Sequence, residues 1–158
     1  MKTLTLDDFL AYVPVSKNLP LKDLKPYIER ALLMDVTPML GELAGRLLLA
    51  DAPEDTPFTA EEVQARKCID AVWVHNAFIR FLPIHGIAID AAGLTKTRDS
   101  QGAAEHASPQ ERQALIASYR SSLNYWEGEL GKALKKLNGT GRPVKKRRIG
   151  LRVVGGKN

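Results

Sequence analysis

The residues of this chain best suited to chemistry are three histidines, one cysteine and two adjacent acid pairs: His75, His85, His106, Cys68, Asp7-Asp8 and Glu61-Glu62. Histidine and cysteine hold zinc when three or four of them meet at ligand spacing. Paired carboxylates run acid–base hydrolysis when they face each other across a substrate. The spacing here supports neither. The histidines stand at metal-ligand intervals neither from one another nor from Cys68. His75 falls inside an apolar helical stretch, where a hydrogen-bonded core histidine is the simplest reading, and Cys68 in the same stretch reads as a small buried hydrophobe. Neighbours on a helix point in different directions, so the two acid pairs read as charges that favour a helix start. No phosphate-cradling glycine loop or nucleophile elbow occurs. The expectation is a protein that is not an enzyme and uses no cofactor and no metal.

Charge says more. The 158 residues carry +5 overall, yet from Leu130 onward there are ten Lys and Arg and no acid, so the first 129 residues carry −5. An acidic body with a basic tail suggests two kinds of partner. The stretch RPVKKRRIGLR (142–152) could track a phosphate backbone through charge alone, as non-specific DNA binding does. Lys145, Lys146, Arg147 and Arg148 are consecutive, with Arg152 beyond, while Ile149, Leu151 and Val153 alternate like a strand. A purely electrostatic tail has no need of three alternating apolar residues, so contact with a protein partner such as a portal is preferred over DNA. No aromatic follows Trp126, which argues against a stacking platform for single strands. A single cysteine excludes an internal disulfide, and a reducing cytoplasm is the expected setting. MKTLTLDDFLAY places acids where an export signal has its apolar run, and no apolar run approaches the ~20 residues of a membrane span.

The elements that carry these residues read as helices. Thr5 caps a first short helix that Pro14 ends. Leu21, Leu24, Ile28 and Leu32 form an apolar stripe, with the helix proper expected from Leu24 or Lys25 because of Pro26. Thr37-Pro38 restarts the chain as a cap and first helical residue, and Leu40, Leu43 and Leu47 face inward up to about Ala50. Thr59 and Glu62 form a capping box for a helix to about Leu82. That helix is apolar around most of its circumference, as expected of the centre of a bundle or of a helix covered by a neighbouring subunit. Ser108-Pro109-Gln110-Glu111 opens the last helix, whose seam runs Ile116, Tyr119, Leu123, Trp126, Leu130, Ala133, Leu137 to Asn138-Gly139.

Between the last two helices lies a long polar insertion, residues 86–107. GIAIDAAGLTKTRDS within it reads as a weak β-hairpin, Ile87 to Asp90 against Leu94 to Arg98. A lone hairpin is marginal in water, so a neighbouring subunit is expected to hold it, through Ile87, Ile89, Leu94, Lys96 and Arg98. The fold class is all-α: a bundle of four to five helices over residues 1–140 with this insertion, then a basic extended C-terminal tail, 141–158.

LKPYIERALLMDVTPMLGELAGRLL (24–48), the long apolar helix, the polar AGLTKTRDSQGAAEHASPQER (92–112) and YRSSLNYWEGEL (119–130) together resemble the small head–tail connector, or adaptor, proteins of tailed bacteriophages. The layout is especially similar to the versions in phages and prophages of Bacteroidetes-type hosts. The likeness covers about residues 20–137 and rests on layout and composition; the basic extension has no counterpart in it. The resemblance implies a virion protein, assembled in the host cytoplasm, that forms a homo-oligomeric, typically dodecameric, ring beneath the portal. Such a ring extends the DNA channel and docks the next neck or tail completion protein. It has no membrane role. The other reading is a small basic-tailed DNA-binding regulator or packaging accessory protein, though no helix pair with a short turn is present to enter a groove.

Overall fold

The computed structural model describes residues 1–15, 17, 19–83 and 108–139, together with the backbone of 96–97 and 104–105. Its helices are α1 (Leu6–Tyr12), α2 (Leu21–Ala31), α3 (Thr37–Leu40), α4 (Ala44–Leu47), α5 (Ala60–Phe81) and α6 (Pro109–Leu137). Three of them open with a reciprocal capping box. Thr5, Thr59 and Ser108 each accept the N–H of the residue three places on, and the side chains of Asp8, Glu62 and Glu111 each accept the N–H of the cap. Each box satisfies two backbone groups that a helix start leaves without partners. The caps expected at Thr5, Thr59 and Ser108 are therefore observed, and α6 stops where expected, at Asn138 with Gly139 at φ +47°.

Between residues 21 and 47 the expected path is corrected twice. Helix α2 begins at Leu21 rather than Leu24 or Lys25, with Pro26 inside it. Lys22 and Pro26 are both exposed, so the carbonyl that loses its donor at Pro26 is left to water. Leu21, expected on the inward stripe, is 39% exposed. Nor does the chain restart at Thr37. Helix α2 continues through a π-helical turn, Leu32–Val36, directly into α3, and the Thr37 N–H donates to Leu32 O five residues back. Thr37 caps nothing. A wider turn absorbs Pro38, which has no N–H to give. The real bend comes at Gly41, whose φ of +55° is comfortable only for glycine. A 3-10 turn, Gly41–Leu43, then leads into α4.

Helix α5 is the centre of the packing. From Cys68 to Phe78, nine of eleven residues are buried, which covers the full circumference of the helix. Helices α2 and α6 make the most extensive contacts with it, and α1 and the π-turn make smaller ones. The expected seam of α6 faces α5, with Leu123, Leu130 and Ala133 buried and Ile116, Tyr119, Trp126 and Leu137 half-buried against the core. The alternative of a helix covered by a neighbouring subunit falls away, because its own chain covers α5. Trp73, 1% exposed, places its one polar atom on α2: Nε1 donates to Ile28 O at 2.8 Å. Arg80 near the end of α5 grips Asp35 of the π-turn with Nη2 at 2.8 and 2.7 Å from the two carboxylate oxygens.

At the other end of α5, two arginines fasten the loop 48–59. Arg46 pairs with Glu62 through two bonds, at 2.9 and 3.1 Å, and also donates to the carbonyls of Thr56 and Pro57. Arg66 donates to the carbonyls of Leu47, Leu49 and Ala50, which the end of α4 leaves without helical partners. The Phe58 ring lies between both guanidiniums, 4.7 and 4.1 Å from its centroid.

Within the insertion, Lys96 pairs antiparallel with Glu105 and Thr97 with Ala104. The expected pairing of 87–90 with 94–98 lies outside the described residues.

Burial separates two aromatic substitutions. Phe78 is 0% exposed, so Phe78→Ala should cost ~3–5 kcal/mol. Trp126 is only half-buried, and Trp126→Ala should cost about half as much. Urea denaturation of both variants measures the difference; equal losses would place Trp126 in the core proper. A second outcome concerns acid. Arg46, then the Thr59 N–H, hold the Glu62 carboxyl at about 2 rather than its ordinary 4.5. A carboxyl depressed on folding stabilises fully above its unfolded pKa and loses that contribution as pH falls through the folded one. The stability advantage of wild type over Glu62→Gln should thus be full at pH 5 and shrink toward pH 2.

Candidate functional site

The residues suited to chemistry divide between the core and the surface. His75 is 3% exposed, and its Nδ1 lies 2.7 Å from Ala71 O one turn back. A carbonyl only accepts, so Nδ1 carries the proton and Nε2 the lone pair. The ring stands between Tyr12 of α1 and Tyr119 of α6, at centroid distances of 6.4 and 6.3 Å. Tyr119 meets Phe78 edge-on at 5.1 Å, and Tyr12 meets Trp126 edge-on at 5.9 Å. His75 is thus the polar member of an aromatic cluster that joins three helices. Burial pushes its pKa below the ordinary 6.5, with the Ala71 hydrogen bond opposing. Cys68 is fully buried, its sulfur 3.9 Å from Gln64 Nε2, and burial pushes its thiol up. Both residues are built into the core as the sequence suggested.

Asp70 carries an unsatisfied atom. Its Oδ2 accepts from Lys2 Nζ at 2.6 Å, while its buried Oδ1 has no hydrogen-bond partner among the described residues. Burial raises its pKa against the pull of Lys2. Lys2 also donates its backbone N–H to Leu48 O at 2.7 Å, so this pair fastens the start of the chain to α5 and to the end of α4. The acid pairs behave as helix-start charges: Asp8 and Glu62 belong to capping boxes, and Glu61 lies exposed at the first turn of α5. Glu61 and Gln64 face Lys132 and Lys136 of α6 across an open groove. Opposite charges and wide access make it a wet seam between two helices rather than a chamber for a ligand. Among the described residues, no group of three or more His, Cys, Asp or Glu could hold a metal ion, and no helix is long and apolar enough to cross a membrane.

The expected contact residues lie elsewhere. Ile87, Ile89, Leu94 and Arg98 are outside the described residues, and Lys96 is described only by its backbone pairing with Glu105. Lys145, Lys146, Arg147, Arg148, Ile149, Leu151, Arg152 and Val153 are also outside them. Sequence reasoning missed an exposed apolar pair on the π-turn, Leu33 and Met34, 70% and 62% exposed. A signal was available. Ala31-Leu32-Leu33-Met34 is a run of four apolar residues, and a helix flank cannot turn four consecutive side chains inward. Tyr125 was missed in the same way. It is 62% exposed beside Trp126, with Ser121, Ser122 and Gly128 one turn away and the Glu129–Lys132 ion pair on its C-terminal side.

The His75 environment carries a pH signature. A histidine whose folded pKa is depressed stabilises least where it must take a proton, so stability is full above about 6.5 and falls as pH drops below it. Lowering pH from 7 to 5 should therefore cost wild type more stability than His75→Phe, which cannot protonate. Parallel losses in urea melts at the two pH values would contradict a buried, neutral His75.

Comparison of the chain with family models, with curated proteins and with solved structures yields no match in any of the three.

Proposed function

We propose that this protein is a structural adaptor that assembles into a ring of identical copies at the neck of a tailed phage particle, beneath the portal. There it extends the DNA channel and seats the next neck or tail completion protein. One observation supports this reading above the others: the described core, drawn from residues 4–82 and 115–137, closes around α5, which leaves the insertion and the tail to serve contacts. A small domain that packs α5 on all sides and still carries a largely polar 22-residue insertion and a basic extension has the division of labour of an assembly subunit. His75 and Cys68 are buried in the core and serve its packing.

In this reading the insertion joins neighbouring subunits, and the basic tail grips a protein neighbour through charge and alternating apolar residues together. Contact with DNA in the channel is secondary. Strong cationic clamps would hinder DNA that has to slide.

Size-exclusion chromatography with light scattering on the full chain tests the proposal. The expected particle is a closed ring of many 17.4 kDa subunits. Replacing 87–105 with a short Gly-Ser linker should keep the helical circular dichroism and abolish the ring. A monomer or dimer of the full chain that shifts DNA, steeply weaker with added salt, would favour the DNA-binding regulator instead.

A further inference from the structure

Helix α6 carries a carboxylate that the fold leaves without a counter-charge. Glu127 is half-buried and makes neither an ion pair nor a hydrogen bond among the described residues. Burial, then the nearby Asp35 carboxylate, push its pKa up, and Arg80 directs its guanidinium to Asp35 instead. Seven residues before Glu127, Arg120 is exposed and likewise has no ion pair among the described residues. The two stand ~10 Å apart along the helix at 1.5 Å per residue, too far to neutralise each other. Arg120, Asn124 and Glu127 are spaced by four and three, so they share one stripe of α6, beside the buried seam of Leu123 and Leu130. Ala117 and Gly131 continue the stripe at its two ends. Ala117 presents only a methyl group, and no atom lies within 4 Å of where a Cβ on Gly131 would stand, so another helix can approach closely.

Along the helix the stripe reads cation, amide, anion; reversed, it is its own complement. We infer that α6 of a second copy docks on this stripe antiparallel, about a two-fold axis level with Leu123 and Asn124, so that Arg120 of each copy pairs with Glu127 of the other. Each charge stands ~5 Å from that axis, in opposite directions, so both pairs close together. At about 8–10 Å between helix axes an arginine side chain is long enough to bridge the gap. Between the two pairs the Asn124 amides meet, and an amide both donates and accepts, so two of them satisfy each other. Parallel docking is excluded by charge, because it sets Arg120 on Arg120 and Glu127 on Glu127. A basic segment of an unrelated partner would answer Glu127 but would meet Arg120 as a like charge, whereas the reversed stripe answers both. A two-fold contact uses the same patch on both copies and closes on itself. It is therefore separate from the contacts that the ring reading assigns to the insertion and the tail, and does not rest on that reading.

The test uses the full chain carrying Asn124→Cys, beside the axis, and a short bismaleimide crosslinker. Cys68 is fully buried, so the wild-type chain serves as the blank. The expected result is a covalent dimer with Asn124→Cys and none with wild type. Adding Arg120→Glu sets carboxylates against carboxylates, and adding Glu127→Arg instead sets guanidiniums against guanidiniums. Each should lower the yield at least about ten-fold, with circular dichroism unchanged. An equal mixture of these two variants, one of them in heavy nitrogen, should recover the yield, and the recovered dimers should be light–heavy. One chain carrying both changes should recover it too, because the reversed charges are again complementary. No dimer with Asn124→Cys alone, undiminished yield in either charge variant, or a mixture no better than its components overturns the inference. Particle mass read on the same samples keeps the two claims apart. A ring without the crosslink overturns the pairing alone, and a crosslinked dimer without a ring overturns the ring reading alone.

Discussion

The structure depends on the complete burial of one helix. Between Cys68 and Phe78 α5 offers almost no polar side chain to water, so the helices that pack on it are placed by the need to cover it. Helix α2 covers one flank and α6 another, and α1 fits between them where Tyr12 reaches His75 and Trp126. Two buried polar groups of the α5 centre, Trp73 Nε1 and His75 Nδ1, are satisfied at short range, the first by Ile28 O and the second by the backbone of its own helix. Either group left without its partner would cost on the order of 1–3 kcal/mol, comparable to a core leucine.

That burial explains the surface as well as the core. To keep Leu32, Val36 and Leu40 inward along a run that also contains Pro38, the chain widens one turn, and the widening exposes Leu33 and Met34. The ends of α5 are then pinned by ion pairs of different construction. Arg80 holds the π-turn through Asp35, while Arg46 and Arg66 enclose Phe58 and take up the loose carbonyls around the end of α4. Such exposed or half-exposed pairs are individually weak, about 0–1 kcal/mol, and their effect is to fix geometry rather than to hold the fold together.

The sequence made legible what is local. Capping boxes are written in three or four residues and needed no tertiary information, so Thr59 with Glu62 and Ser108 with Glu111 were readable directly. The seam of α6 and the apolar girth of α5 were readable because their periods extend over many turns. What failed was proline. Thr37-Pro38 has the local chemistry of a helix start, yet burial of Val36 and Leu40 in the core kept the helix going and moved the break to Gly41. The exposed pair on the π-turn was signalled only by the apolar run Ala31 to Met34; which two of its residues face out depends on the π-turn, which exists because the run does not break. The insertion and tail offer no long period and no cap, so their residue types suggest contacts without fixing where those contacts fall.

If α5 is covered by its own chain, its protection cannot depend on neighbours, even in a protein that assembles. Hydrogen exchange of the α5 amides over a hundred-fold dilution, across the range where assembled particles dissociate, tests this most directly. The account predicts that amides of residues 68–78 exchange slowest in the chain and at the same rate at both ends of the dilution. Faster exchange of α5 on dilution would mean that a neighbouring copy completes the core, and would contradict the account.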